Sequence, residues 1–287
     1  MRSVPIALAA ALIAATATAP AGATFSGRAG LIARGAEDGI HVMRPDGTRD
    51  RLVSRMGPAR DPAWGPNGRR IAFSHAGSIW VVDLNDGSTR RVTHGRHDSS
   101  PSWSSHGGAI AYSRAAWGSR GLWTVRLSDG RKTRIVADAV DRAEWAPDGA
   151  WIAYVVDFNV HLVRPDGGDA HRIVDFSNPG NERPYADSVS WSPDASRLAI
   201  GVLLNACTGC NGVYTVLADG SELEPVAGDL RGPPVWSPTG RAIAYCHVRG
   251  GQTDDPRYEL HALTGHGERY LGPTCGDAWQ ALPRRAG

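Results

Sequence analysis

The chain has 287 residues, with 31 basic and 29 acidic side chains and a formal net charge of +2, so it lacks the basic excess that marks a nucleic-acid binder. Its 35 glycines and 19 prolines point to a turn-rich, all-β protein. Its four cysteines are too few for a disulfide-dense scaffold, though an oxidising compartment would still permit bridges.

Residues 1–23 read "MRSVPIALAAALIAATATAPAGA": one basic residue, Arg2, an apolar core from Val4 to about Ala15, and small residues at Ala21 and Ala23. That is the pattern of a secretory signal peptide cleaved before Thr24. The apolar core is shorter than the ~20 residues a spanning helix needs. No cysteine sits near the cleavage site to take a lipid, and no later segment is apolar enough to span. The expectation is an exported chain, secreted or periplasmic, with no transmembrane anchor after cleavage and a single domain over 24–287.

The next signals are "GLIARG", "GIHVMRPDGT" and "RDRLV", three short strands with no tryptophan strand before them. From Pro62 one phrase then recurs: "PAWGPNGRRIAF", "PSWSSHGGAIAY", "AEWAPDGAWIAY", "VSWSPDASRLAI", "PVWSPTGRAIAY". Trp64, Trp103, Trp145, Trp191, Trp236 and Trp279 stand 39 to 46 residues apart, the period of propeller blades. Each full repeat predicts four strands, a to d. Strand a ends at the tryptophan, and strand b follows a tight turn. Strand c reads like "SIWVVDL" or "GVYTVL", and strand d is short, as in "TRRVT". Asn-Gly and Asp-Gly pairs supply the positive φ that hairpin turns require. A calcium reading of those pairs fails on the missing acidic spacing and closing Glu. The chain closes on "GDAWQALPRRAG", a tryptophan strand with no b, c or d after it. Each end supplies what the other lacks. The predicted fold is therefore an all-β, six-bladed propeller of four-stranded blades, its ring closed by a C-terminal strand that completes the N-terminal blade.

The stretches "WAPDGAWIAY" (145–154), "WSPDASRLAI" (191–200) and "WSPTGRAIAY" (236–245) resemble the TolB-like propeller family, whose repeat is called PD40 or WD40-like. The resemblance covers almost the whole mature chain and is specific for fold more than for function. It implies a periplasmic scaffold for protein partners. The extra N-terminal domain known in that family is not expected, because strand signals begin within about ten residues of the predicted cleavage site.

Nine of the ten tryptophans fall in repeat positions, with Trp80 and Trp123 on strand c and Trp151 on strand b; these read as packing. Trp117 alone lies outside the pattern, in the loop "RAAWGSRG", and is a candidate contact residue. The a–b and c–d turns are tight. The b–c and d–a loops are long and variable: Arg114–Gly121, Leu203–Gly212, His247–Arg257 and the connection Asp175–Ser188, which carries Arg183 and Tyr185. Variable loops on a rigid scaffold are where binding concentrates, so the b–c/d–a face is the expected functional face. Just before the strand-a tryptophans, Arg60, Asp61, Asp98, Asp141, Arg142 and Asp187 are expected around the channel mouth, where they could hold a ligand or simply be solvated.

All four cysteines map to the same face. Four allow three connectivities; Cys207–Cys210 as a loop clip and Cys246–Cys275 as a staple near the closure are favoured. Redox work by "CTGC" lacks the βαβ context it would need, and a four-cysteine zinc site is a remote alternative. No nucleophile elbow and no phosphate loop occur. His94, His97 and His106 lack metalloprotease spacing and read as surface residues. The sequence thus reads as a non-catalytic, monomeric scaffold with no cofactor and no metal, binding a protein partner or other ligand. The alternative is a channel-mouth propeller enzyme of lactonase or sugar-dehydrogenase type, with a bound cation.

Overall fold

The computed structural model describes residues 27–176, 184–204, 211–228, 230–249, 257–264, 267–272 and 278–282. The predicted leader, Arg183, Cys207, Cys210 and Cys275 lie outside them. The fold is an all-β propeller. Among the described residues, twenty-four strands form six four-stranded sheets, and none of these residues is helical.

The first sheet holds β1 (Arg28–Ala36), β2 (Gly39–Met43) and β3 (Arg51–Ser54). The second holds β4 (Ala59–Trp64), β5 (Arg70–His75), β6 (Ser78–Asp83) and β7 (Thr89–Arg91). The third holds β8 (Asp98–Trp103), β9 (Ala109–Arg114), β10 (Gly121–Arg126) and β11 (Lys132–Val136). The fourth holds β12 (Val140–Trp145), β13 (Ile152–Val156), β14 (Asn159–Val163) and β15 (His171–Val174). The fifth holds β16 (Pro184–Trp191), β17 (Arg197–Leu204), β18 (Gly212–Leu217) and β19 (Glu224–Gly228). The sixth holds β20 (Leu230–Trp236), β21 (Ala242–Arg249), β22 (Arg257–Thr264) and β23 (Gly267–Gly272). The last strand, β24 (Ala278–Leu282), pairs antiparallel with β1, placing Ile32 opposite Trp279, and so completes the first sheet.

The repeated phrase now has physical content. Strands β4, β8, β12, β16 and β20 end at their tryptophans, and each is an edge strand of its sheet. An edge strand tolerates proline, because one side of its backbone has no ladder partner. That is why Pro62, Pro101, Pro233 and Pro234 sit two or three residues before a tryptophan without breaking the sheet. The tight turn after each tryptophan needs one residue at positive φ. Glycine supplies it at Gly68, Gly107, Gly149 and Gly240; Ala195 occupies the same place at φ 59°. The second strand reads Ile-Ala-Phe/Tyr and is buried on both faces: Ile71, Ala72, Phe73, Ile110, Ala111, Tyr112, Ile152 and Ala153 are all inaccessible. Trp151, expected on that strand, precedes it. It is partly buried, with Arg164 4.6 Å over its ring and His171 edge-on at 5.3 Å.

The core lies between sheets. Its apolar clusters join first to second (Ala33, Ile40, Trp64, Phe73), second to third (Ile79, Val81, Trp103, Tyr112) and third to fourth (Leu122, Val136, Trp145, Tyr154). Further clusters join fourth to fifth (Val155, Leu162, Trp191, Leu198) and fifth to sixth (Ala199, Val213, Ile243, Tyr245). A sixth cluster unites Val235 and Ala244 of the last sheet with Ile32 and Met43 of the first. Gln280 adds a polar stitch to the completed sheet. Its Oε1 accepts from the Leu31 N–H at 3.0 Å, and its Nε2 donates to the Gly68 carbonyl at 2.7 Å.

Candidate functional site

The edge strands surround a cavity of about 410 Å³. Side chains alternate along a strand, so every second residue before each tryptophan faces inward. The result is two tiers. Asp61, Ser100, Arg142, Ser188 and Pro233, three residues before their tryptophans, form the upper tier, nearer the b–c/d–a loops. Ala63, Ser102, Glu144, Ser190, Val235 and Ala278, immediately before theirs, form the lower one.

Backbone irregularity shapes the upper tier. The ladder register slips between Arg60 and Ala63 and between Ser99 and Ser102, at bulges where Asp61 and Ser100 both take φ 50°. A bulge re-aims the side chain it carries. Asp61 is thereby turned into a network. Ser74 Oγ donates to its Oδ2 at 2.8 Å, the Ser100 N–H reaches the same oxygen at 3.3 Å, and Arg142 Nη1 donates to its Oδ1 at 3.1 Å. The Asp61–Arg142 bridge links the second sheet to the fourth across the third, over 81 residues of chain. Arg60 lies on the rim, with Glu37 3.9 Å away. Both side chains are largely solvent-exposed, a geometry worth little in energy.

The other expected residues separate. Asp98 is not in the cavity lining: its carboxylate is fully buried and takes a two-pronged bond from Arg114, Nε at 2.6 Å and Nη2 at 3.0 Å. Arg114 also lies over the rings of Trp123 and Tyr112, at 5.0 and 5.5 Å. The Asp98 hydrogen bond raises the Arg114 pKa further above the guanidinium norm. Asp141 and Asp187 precede the lining residues Arg142 and Ser188 in the chain. Burial raises the Asp141 pKa first, then the charges of Asp187 and Asp157, with Arg142 opposing. Trp117 is 96% exposed on the β9–β10 loop. Tyr185 packs edge-on against Phe158 at 5.3 Å. Cys246 is buried in the middle of β21, and its expected partner Cys275 lies outside the described residues, as do Cys207 and Cys210. Among the described residues no group of three or more His, Cys, Asp or Glu side chains is arranged to hold a metal ion.

Sequence reasoning missed Glu144. In the lower tier its neighbours are alanine, serine and valine, so it is the one ionisable side chain of those six described residues. Burial pushes its carboxyl up to about 8, against the opposing influence of the Trp191 backbone N–H. The signal was present in the repeat: the residue before tryptophan reads Ala, Ser, Glu, Ser, Val, Ala.

Comparison with known proteins bears on the fold. No family model matches the chain. An uncharacterised protein of Agrobacterium fabrum is 26% identical over 184 residues, which cover 56% of this chain and 60% of the relative. TolB from Acinetobacter baumannii superposes with a TM-score of 0.71 at 19% identity, over 91% of this chain and 67% of that one. A second structure assigned as TolB, from Agrobacterium tumefaciens, gives 0.63 at 19% identity, over 77% and 86%. An oligogalacturonate lyase solved in complex with manganese gives 0.58 at 13% identity, over 82% and 70%. The chain thus has the TolB-like propeller fold that the repeats predict. Among the described residues no helix is long and apolar enough to cross a membrane.

Proposed function

We propose that this protein is an exported, non-catalytic scaffold: a closed six-bladed propeller that binds a protein partner or other ligand through its b–c/d–a loop face and channel mouth. The observation that carries the reading is the cavity mouth, where the second and fourth sheets bring Asp61 and Arg142 together. The six sheets, and the apolar cluster between the last and the first, support the closed six-bladed ring. Export by the leader at 1–23 would place the chain where the pairings Cys207–Cys210 and Cys246–Cys275 could form.

A photo-cross-linker placed at Trp117, on the loop face, and at Asp129, on the opposite turn face, tests this. Capture of one identified envelope or extracellular protein from position 117 and not from 129 is expected. Capture from 129 alone, or from neither, overturns the reading. The enzymatic alternative draws support from the lyase that shares the fold and from the Asp141–Asp187 pair. A stoichiometric calcium ion whose removal abolishes lactone hydrolysis would establish it instead.

A further inference from the structure

The lower tier holds a carboxyl in excess of what the fold demands. Ser102 Oγ accepts the Trp145 N–H at 2.8 Å, and Ser190 Oγ accepts the Trp236 N–H at 3.2 Å. In each case the residue before one tryptophan stitches its sheet to the backbone of the next tryptophan. Glu144 occupies the same position and meets the Trp191 N–H. A serine hydroxyl satisfies that donor at two equivalent places. Glutamate brings a longer arm, a second oxygen and an ionisable group to the cavity lining. A carboxyl buried without a cation is expensive to ionise.

The surroundings choose the sign of what could join it. The charged residues lining the cavity are Glu37, Arg60, Asp61, Arg142 and Glu144. Arg142 is engaged by Asp61, and Arg60 sits on the exposed rim beside Glu37. Asp141, with Asp187 and Asp157 close enough to act on it, adds to an acidic field at the mouth. An anion would meet this field at the mouth and the Glu144 carboxyl at the floor. A compact cation would be drawn inward and would find Glu144, with Ser102 and Ser190 as neighbouring acceptors.

We propose that the channel floor is a binding site for a primary ammonium group, which docks on Glu144 beside Ser102 and Ser190 in the cavity lining. The inference rests on reading this face as the binding side, and not on the partner being a protein. The step balances: Glu144 enters as the neutral acid, the ammonium enters charged, and one proton leaves to solvent for each ammonium bound.

Two sources carry this group, a free small amine or the amino end of a polypeptide, and the full mature chain can be titrated calorimetrically with both. The probes are n-butylamine, trialanine and N-acetyl-trialanine, run near pH 7 in two buffers of different ionisation enthalpy. Saturable binding with release of about one proton is expected, because a carboxyl titrating near 8 is mostly protonated at that pH. Glu144→Ser copies the stitch of Ser102 and Ser190, so it should fold, as its melting curve will verify. It should bind between about tenfold and a hundredfold more weakly, the worth of a charge-assisted hydrogen bond, and release no proton. Trialanine binding well above butylamine assigns the site to a chain end; comparable binding assigns it to small amines.

Acetylated trialanine binding as tightly as the free peptide overturns the proposal. So do binding without proton release, an unaffected Glu144→Ser variant, or no binding of either amine at millimolar concentration. These failures are separable from failure of the scaffold reading, because cross-linking from position 117 does not depend on the channel floor.

Discussion

Removing the Asp98 carboxylate should be among the most damaging single changes outside the tryptophans. Its side chain has no exposure, that of Arg114 has 14%, and the two are joined by bonds of 2.6 and 3.0 Å. Asp98→Ala would leave a guanidinium held over Trp123 and Tyr112 without an anion. Breaking one partner of a buried pair costs about 3–5 kcal/mol, because the survivor is desolvated and uncompensated. Domains of this size shift roughly 2–4 °C in Tm per kcal/mol, so the variant should melt roughly 6–20 °C lower. Far-UV circular dichroism on heating, with urea unfolding at 25 °C followed by tryptophan fluorescence, measures both quantities. Arg114→Met alone should be destabilising as well, since it strands the carboxylate. The double variant should recover much of the loss, because an apolar replacement of a buried pair is often neutral. If Asp98→Ala costs under about 1 kcal/mol, or if the two losses simply add, the pair is not a buried unit and the argument fails.

Other consequences follow from individual positions. Between about pH 4.5 and 8 the folded protein holds the Glu144 proton more tightly than the unfolded chain, so this residue makes stability fall as pH rises through that window. Urea titrations at pH 5 and pH 8 should therefore show Glu144→Gln gaining on the wild type with pH; parallel curves would refute it. Gly77 stands at φ 70°, and a Cβ there would lie 1.9 Å from the Arg96 carbonyl oxygen. Gly77→Ala should lose more than about 1 kcal/mol, read from the urea midpoint. Ala195 presents the opposite case at φ 59°, and Ala195→Gly should stabilise by ~0.5–1 kcal/mol, left-handed strain relieved less the added freedom of the unfolded chain. Trp117→Ala, at a fully solvated side chain, should leave Tm almost unchanged, within the ~0.5 kcal/mol of ordinary surface changes, while weakening any partner captured from that loop.

The repeat was legible because architecture is written several times. A tryptophan ending an edge strand, a turn glycine and a doubly buried Ile-Ala-Tyr run each recur, and agreement among copies fixes the strand order. The division of labour inside the channel was not legible by the same means. Asp98 and Asp61 stand five and three residues before a tryptophan and look alike as sequence. One carboxylate turns back onto Arg114, whereas the bulge at the other aims it across the channel. That choice depends on local register slips, which no residue pattern announces. The Asp61–Arg142 bridge joins units two repeats apart, beyond the reach of periodicity. Glu144 could have been found by asking which copy of the phrase departs from the others in chemistry.

The pairing of β24 with β1 also constrains how the protein comes into being. The Leu31 N–H and the Gln280 side chain that accepts it are 249 residues apart, so this sheet has the highest contact order in the fold. During synthesis, sheets two to six can form from neighbouring segments as each emerges. The first sheet must wait with its β1 edge unpaired until β24 arrives. A chain released before Ala278 would keep that edge open, as a template for another copy. Truncation near the C-terminus should therefore produce aggregation rather than a smaller folded protein, and refolding should show a slow last phase with a concentration-dependent yield.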